Sequence, residues 1–293
     1  MEYNYSGNRH GKENAAMRTF GLHKKGEKIS ESDSEPVWNL TETREKKKIA
    51  VVGISRGAGS TFLSVSLAFL LAMSKNIEGS RTQNNIPQPA AVSLLEMRCP
   101  REGESMIYYA AGLDRRFHGR RFTDFFDLYM KKKSFPQTVN LHRGINWAVW
   151  RQPGEVCDLS EFPLDQMPGR YIIADSPPLE TLQQYDLVIA AIDPSPSAVY
   201  AGSGAYEQLR DMETCGLPLL WVLNKENAGV SHPSLKHFLQ LREYFAVPAV
   251  SVETFCRAQY SGLLPMEVLR DEEKNLEEAL KKLAVQITEV LSK

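Results

Sequence analysis

The residues best suited to chemistry stand in one run, Gly53-Ile54-Ser55-Arg56-Gly57-Ala58-Gly59-Ser60-Thr61. Small residues let backbone N–H groups turn inward, and a helix starting after them adds positive partial charge, so the run reads as a phosphate cradle. It meets the pattern G-x-x-x-x-G-K-[ST] only in part. With Gly59 as the second glycine, the first falls on Ile54 and the lysine on Ser60, and only Thr61 is as the pattern requires. A dinucleotide fingerprint fits poorly, because Gly57-x-Gly59 lacks the third glycine. Gly53 to Gly57 also spells G-x-S-x-G, which opens a serine-hydrolase reading. Ser55 would be the nucleophile, His232 or His237 the base, and Asp175 or Asp193 the third member. A plain structural turn is the remaining possibility.

These residues need elements to hold them. Ile49 to Val52 is apolar and β-branched and predicts a buried strand, and Phe62 to Ala72 is long and apolar enough for a buried helix. Further strands are predicted over Ala90 to Glu96, Ile145 to Trp150, Arg170 to Asp175, Asp186 to Ile192, Leu217 to Asn224 and Val247 to Val252. Helices are predicted over Glu104 to Gly112, from a Thr123 cap through Phe125, Phe126, Leu128 and Tyr129, over Ala198 to Glu213, over Ser234 to Phe245, and over Asp271 to Leu291. Continuous apolar strands alternating with helices predict an α/β fold. The expected architecture is a doubly wound, mostly parallel seven-stranded sheet with helices on both faces. In such sheets ligands sit at the carboxyl ends of the strands, so the loop after Gly53, then Glu96, Asp175, Asp193 and Asn224 are the informative positions.

The chain has 293 residues, 42% of them apolar and 24% charged, with a net charge of -1, which argues against a wholly basic nucleic-acid binder. Residues 1–46 mix Gly, Lys, Glu, Ser and Asn without a period and read as a disordered tail ahead of a single domain over 47–293. The N-terminus has no apolar stretch of the secretory kind, and the most apolar window, Phe62 to Met73, is too short to span a bilayer. The four cysteines form no C-x-x-C pair, so reduced thiols in a cytoplasmic protein are expected.

The strand ends together resemble the MinD/ParA-like deviant Walker ATPases of the SIMIBI P-loop class. Lys47 to Val52 with Gly57-Ala58-Gly59-Ser60-Thr61 is similar to the first strand and G-V-G-K-T of that family. Tyr171-Ile172-Ile173-Ala174-Asp175-Ser176-Pro177-Pro178 is similar to its Y-I-I-I-D-x-P-P strand end, the most specific match. Val188 to Ala198 resembles the next strand and its Pro-Ser turn, and Leu220 to Lys225 the strand whose asparagine reads adenine. The stretch from Ser105 to Val149 resembles that region in MinD-like and CpaE/TadZ-like members. The resemblance implies ATP and Mg²⁺ as cofactors, with Ser55, Arg56, Gly57, Ala58, Gly59, Ser60, Thr61 and Asn224 around the nucleotide. It implies Thr61 and Asp175 at the metal. The sequence departs from the family at the lysines, which fall on Ser55 and Ser60, and at two aspartates, which fall on Glu96 and Arg98. An arginine cannot take the proton of an attacking water. The expectation is therefore an ATP-binding switch with slow turnover, using Arg56 for charge, or a pseudo-ATPase scaffold.

The resemblance also implies a homodimer that positions other machinery: chromosomes or plasmids, a division site, a pilus or a secretion system. It would act in the cytoplasm or at the periphery of membrane or nucleoid. Arg115 to Arg121 and Lys131 to Lys133 are two basic clusters that suit nonspecific DNA or an acidic membrane surface as well as a solvated face. Phe125, Phe126 and Tyr129 read as core. Leu276, Leu280, Leu283, Ile287 and Leu291 recur at about a 3.6-residue period and predict a last helix docked on the sheet.

Overall fold

The computed structural model describes residues 45–79, 91–101, 104, 106–135, 140–153, 158–241 and 243–292. The expected tail over residues 1–46 falls almost wholly outside them. In chain order the strands are β1 (Lys47–Gly53), β2 (Val92–Glu96), β3 (Leu141–His142), β4 (Ile145–Ala148), β5 (Tyr171–Asp175), β6 (Leu187–Ile192), β7 (Leu219–Glu226) and β8 (Phe245–Pro248). The helices are α1 (Ser60–Gly79), α2 (Ile107–Ala110), α3 (Leu113–Arg116), α4 (Phe125–Met130), α5 (Pro196–Ala201), α6 (Ser203–Thr214), α7 (His232–Leu239), α8 (Val252–Ser261) and α9 (Lys274–Val290).

The sheet runs β3-β4-β2-β5-β1-β6-β7-β8, all parallel except the β3–β4 pair. It has eight strands where seven were expected. The extra one, β3, is two residues long, too short to show any alternation of side chains. β1 lies between β5 and β6, and the chain winds to one side of it first and to the other later, so β1 is the switch point.

Alternation along β1 builds two cores. Ile49 and Val51 face Leu63, Leu67 and Leu71 of α1 and Leu280, Leu283 and Ile287 of α9. Ala50 and Val52 face the layer that contains Phe126 of α4, Leu209 of α6 and Leu235 of α7. Both faces of the strand are dry, which is why its sequence is continuously apolar and not alternating. The apolar stripe of α9 is buried as expected, and Phe125 and Phe126 are core, Phe126 stacking on Trp150 at 4.4 Å between centroids.

Several boundaries differ from the sequence expectation, each for a local reason. The helix expected over Ser234 to Phe245 ends at Leu239, where Gln240 turns left-handed at φ 50°, and Phe245 already belongs to β8. The strand expected to run to Val252 stops at Pro248. Ser251 accepts the Thr254 N–H at 3.1 Å and caps α8, so the cap overrides the β-preference of Val252. Asp124, not Thr123, caps α4 by accepting the Asp127 N–H at 2.9 Å, because the Thr123 backbone is held by Asn140. The helix expected over Ala198 to Glu213 divides at Gly202, which packs so closely on Ile54 that a Cβ would come within 2.8 Å of its carbonyl oxygen.

Candidate functional site

The carboxyl ends of the parallel strands β1, β2, β5, β6 and β7 open on the same edge. The register sets Glu96 beside Asp175 and pairs Val51 with Asp175, so β2 and β1 each lie one strand spacing from β5, on either side of Asp175. The loop after β1 leaves the sheet with Ile54 N–H donating to Ala191 C=O at 3.0 Å and returns into α1 with Leu63 N–H donating to Gly59 C=O at 3.1 Å. Gly57 and Gly59 are both left-handed, at φ 81° and 89°. At Gly59 the need for glycine is also steric, since a Cβ would stand 2.1 Å from Asn224 Nδ2.

Thr61, one residue into α1, donates its hydroxyl to Asp175 Oδ2 at 2.7 Å. Ser64 donates to Asp175 Oδ1 at 3.1 Å and Ser176 to the same oxygen at 3.2 Å. Burial pushes the Asp175 carboxyl up, while the hydroxyls of Thr61, Ser64 and Ser176 and the charge of Arg98 pull the other way. Ser60 Oγ lies 3.0 Å from Ser176 Oγ, so the position of the missing lysine is filled by a neutral hydroxyl pair. Glu96 accepts the N–H groups of Ile107 at 3.4 Å and Trp150 at 3.2 Å. Burial raises its carboxyl to about 8 against those two donors, so Glu96 is mostly neutral at pH 7.

β7 grips the loop from the other side. Asn224 Nδ2 donates to Ala58 C=O at 2.9 Å, and Lys225 Nζ donates to Gly57 C=O at 2.5 Å and to Asp193 Oδ2 at 2.7 Å. Burial raises the Asp193 carboxyl, but Lys225 and Ser195 outweigh it and hold it below the usual carboxylate value.

Two cavities meet at this edge. A cavity of about 740 Å³ lies over the loop, walled by Ser55, Arg56, Gly57, Ser60 and Thr61 and, opposite them, by Arg98, Glu104 and Ser176. A narrower crevice of about 360 Å³ runs between α1, α2 and α8. Thr61, Glu96, Asp175 and Asn224 lie at its polar end and side chains such as Phe62, Ile107 and Phe255 along its walls. Thr61, Asp175 and Asn224 therefore share one crevice. Ala58 turns inward and is buried, and of the loop it is the Ala58 carbonyl that meets Asn224. Asp193 lies against Lys225, on the far side of the loop.

The donor set fits a phosphate and a hard cation in three respects. The loop is a glycine cradle that a side chain at Gly59 would fill. Ser55 Oγ is a buried hydroxyl without a hydrogen-bond partner on that loop. Thr61 gives its proton to Asp175, which leaves its oxygen lone pairs free for a cation beside a buried carboxylate. The set lacks the lysine charge that a phosphate would meet.

The hydrolase constellation is not assembled. Among the described residues no histidine lines the cavity that holds Ser55, and His232 is engaged with Tyr244 Oη at 2.8 Å and Glu226 at 3.2 Å. Sequence reasoning assigns no site role to Ser64 or Glu104, and includes Ser176 and Lys225 only as parts of strand-end motifs. Ser64 stands three residues after Thr61 on one helix face, and Ser176 directly follows Asp175, so spacing could have found both. Glu104 and Lys225 depend on side-chain reach across the fold, which spacing does not carry.

No protein-family model matches the sequence, and no curated protein does. Solved structures do. The chain is similar to MinD of Aquifex aeolicus in its MinC:MinD cell division complex, at 15% identity over 83% of this chain and 95% of that one, with a TM-score of 0.60. It is similar to the septum site-determining protein MinD of Pyrococcus horikoshii complexed with Mg-ADP, at 13% identity over 83% and 96%, TM-score 0.55. It is also similar to a plasmid partition protein of Borrelia burgdorferi, at 14% identity over 84% and 100%, TM-score 0.54. At these identities the likeness establishes architecture. The parallel sheet with its switch at β1, the glycine loop into α1 and these neighbours together give the chain the fold of the MinD/ParA-type P-loop ATPases.

Proposed function

We propose that the chain is an ATP-binding switch protein of the MinD/ParA kind, with Mg²⁺ as cofactor and slow hydrolysis. The observation that carries this reading is the Thr61–Asp175 hydrogen bond at the start of α1, beside a glycine cradle. Thr61 and Asp175 would hold the cation. The loop from Ser55 to Thr61 would take the phosphates through its backbone N–H groups. Asn224 holds the loop through Ala58 and faces the crevice where a base would lie. The bound cation would supply charge to the phosphates, and this chain's residues bind and orient them. Slow turnover follows from Arg98, which stands where the family has the aspartate that positions water, and from hydroxyls in place of lysines.

A second reading has its own support. Ser60 is bonded to Ser176 and not free for a ligand, which suits a scaffold that does not need nucleotide. In either reading the protein is a single domain over residues 47–293 that acts as a homodimer with a protein partner in a positioning or assembly machine. Pilus assembly is one such setting and partition another. Arg116, Arg120, Arg121, Lys132 and Lys133 are exposed and offer a face to DNA or acidic lipid.

The test is thermal unfolding and calorimetry with ATP–Mg²⁺. The wild type is expected to gain several degrees at ligand well above its dissociation constant, following RT ln(1 + [L]/Kd). Thr61→Ala is expected to lose that gain. No shift of the wild type at millimolar nucleotide would sink the switch and leave the scaffold.

A further inference from the structure

The loop cavity carries a charge arrangement of its own. Arg56, on the loop, is 85% exposed and reaches Glu104 Oε1 at 3.3 Å. Arg98, two residues past the end of β2, lines both the loop cavity and the crevice, opposite Ser60 and Thr61. Glu104 comes from the connection to α2. Its other oxygen accepts the Arg101 N–H at 3.1 Å, and its side chain is 18% exposed. A carboxylate thus stands in a cavity lined by the glycine loop, the first residues of α1 and two arginines, where the loop itself has no lysine. An anion is what that wall is built to face, and Glu104 is the anion the chain supplies. The Glu104 carboxyl is held below its usual value by the Arg101 N–H first and, against burial, by the charges of Arg98, Arg56 and Arg101.

We propose that Arg98 and Arg56 are the phosphate-binding cations of this loop, in place of its absent lysines, and that Glu104 is their resident counter-anion, displaced when a phosphate enters. This rests on the reading that the loop takes nucleotide phosphate, and it adds which side chains supply the charge and what competes with it. Arg56 is free to turn, because the Glu104 pair is at the surface and weak. Arg98 can reach a phosphate from the β2 side, where a guanidinium makes paired hydrogen bonds that a point charge cannot.

The two residues predict effects of opposite sign, which a merely structural role would not produce. ATP–Mg²⁺ affinity is measured by calorimetry, with inorganic tripolyphosphate as a second probe, on the wild type, Arg98→Gln and Glu104→Gln. Arg98→Gln is expected to lose at least about tenfold, the scale of one charge-assisted hydrogen bond. Glu104→Gln is expected to gain about two- to five-fold, the scale of an exposed ion pair. Adding Arg56→Ala to Glu104→Gln is expected to cancel that gain, while unliganded melting temperatures stay close to the wild type. Wild-type binding that Arg98→Gln leaves intact, or that Glu104→Gln weakens, overturns the proposal and leaves the nucleotide reading standing. Binding by neither the wild type nor Glu104→Gln at millimolar ligand overturns both. Binding by Glu104→Gln alone supports both.

Discussion

Glu96 and Asp175 are neighbours on adjacent strands, and burial pushes both carboxyls above their ordinary values. Asp175 receives hydroxyl donors from Thr61, Ser64 and Ser176, and Glu96 receives two backbone N–H groups at longer range. At Glu96 burial outweighs those two donors, and the carboxyl prefers its neutral form, with a folded value of about 8 against 4.5 for the unfolded chain. The folded state then binds more protons than the unfolded one between those values. Its contribution to stability is full below about 4.5 and is lost as pH rises through 8. The loss approaches about 1.4 kcal/mol per pH unit inside that window. Glu96→Gln stays neutral throughout and is expected to flatten the dependence. Urea midpoints at pH 5 and pH 8 compare the two proteins, and an unchanged slope in the variant would refute the assignment.

α9 shows how an element can be read from sequence and still owe its stability to the fold. Leu276, Leu280, Leu283 and Ile287 are buried on the α1 and β8 side, and Val285, between them in sequence, is 57% exposed. Truncating Leu280 to Ala is expected to cost about 2–5 kcal/mol, because the surrounding α1 and sheet side chains close only partly on the space left. Val285→Ser is expected to change stability by no more than about 0.5 kcal/mol. Denaturant unfolding followed by circular dichroism measures both, and equal losses would mean that the helix does not dock through this stripe. The short elements around the crevice behave differently. α2 and α3 are four residues each, too short to hold themselves, and depend on contacts such as Arg143 donating to Ala111 C=O at 3.1 Å.

At the scale of the whole molecule the fold separates a dry doubly covered sheet from an edge where polar groups collect. The basic residues of the α3–α4 region are exposed, though Arg115 donates to Tyr260 C=O at 2.9 Å and Lys131 pairs with Asp127 at 2.7 Å. If this face meets a polyanion, retention on heparin or nonspecific DNA should fall steeply between about 50 and 200 mM salt. Arg120→Glu with Arg121→Glu should abolish it without lowering the melting temperature. Retention that ignores salt, or survives the double substitution, would remove polyanions as partners of this face. Among the described residues no helix is long and apolar enough to cross a membrane.

The chain itself determined the class of fold. Continuous apolar strands such as Ile49 to Val52 and Leu187 to Ile192 need cover on both faces, and that requirement is written in composition and period. It also marked Thr61, Asp175 and Asn224 through their places at strand and helix ends. Tertiary structure decided the rest. Val252 lies in a helix because Ser251 caps it, and α7 stops where Gln240 turns left-handed. Ala58 faces inward, Lys225 reaches across to the loop, and Glu104 pairs with Arg56. These outcomes depend on which side chains arrive from distant segments and on how little space they leave. A linear pattern records the period of burial and not the direction in which a long side chain points.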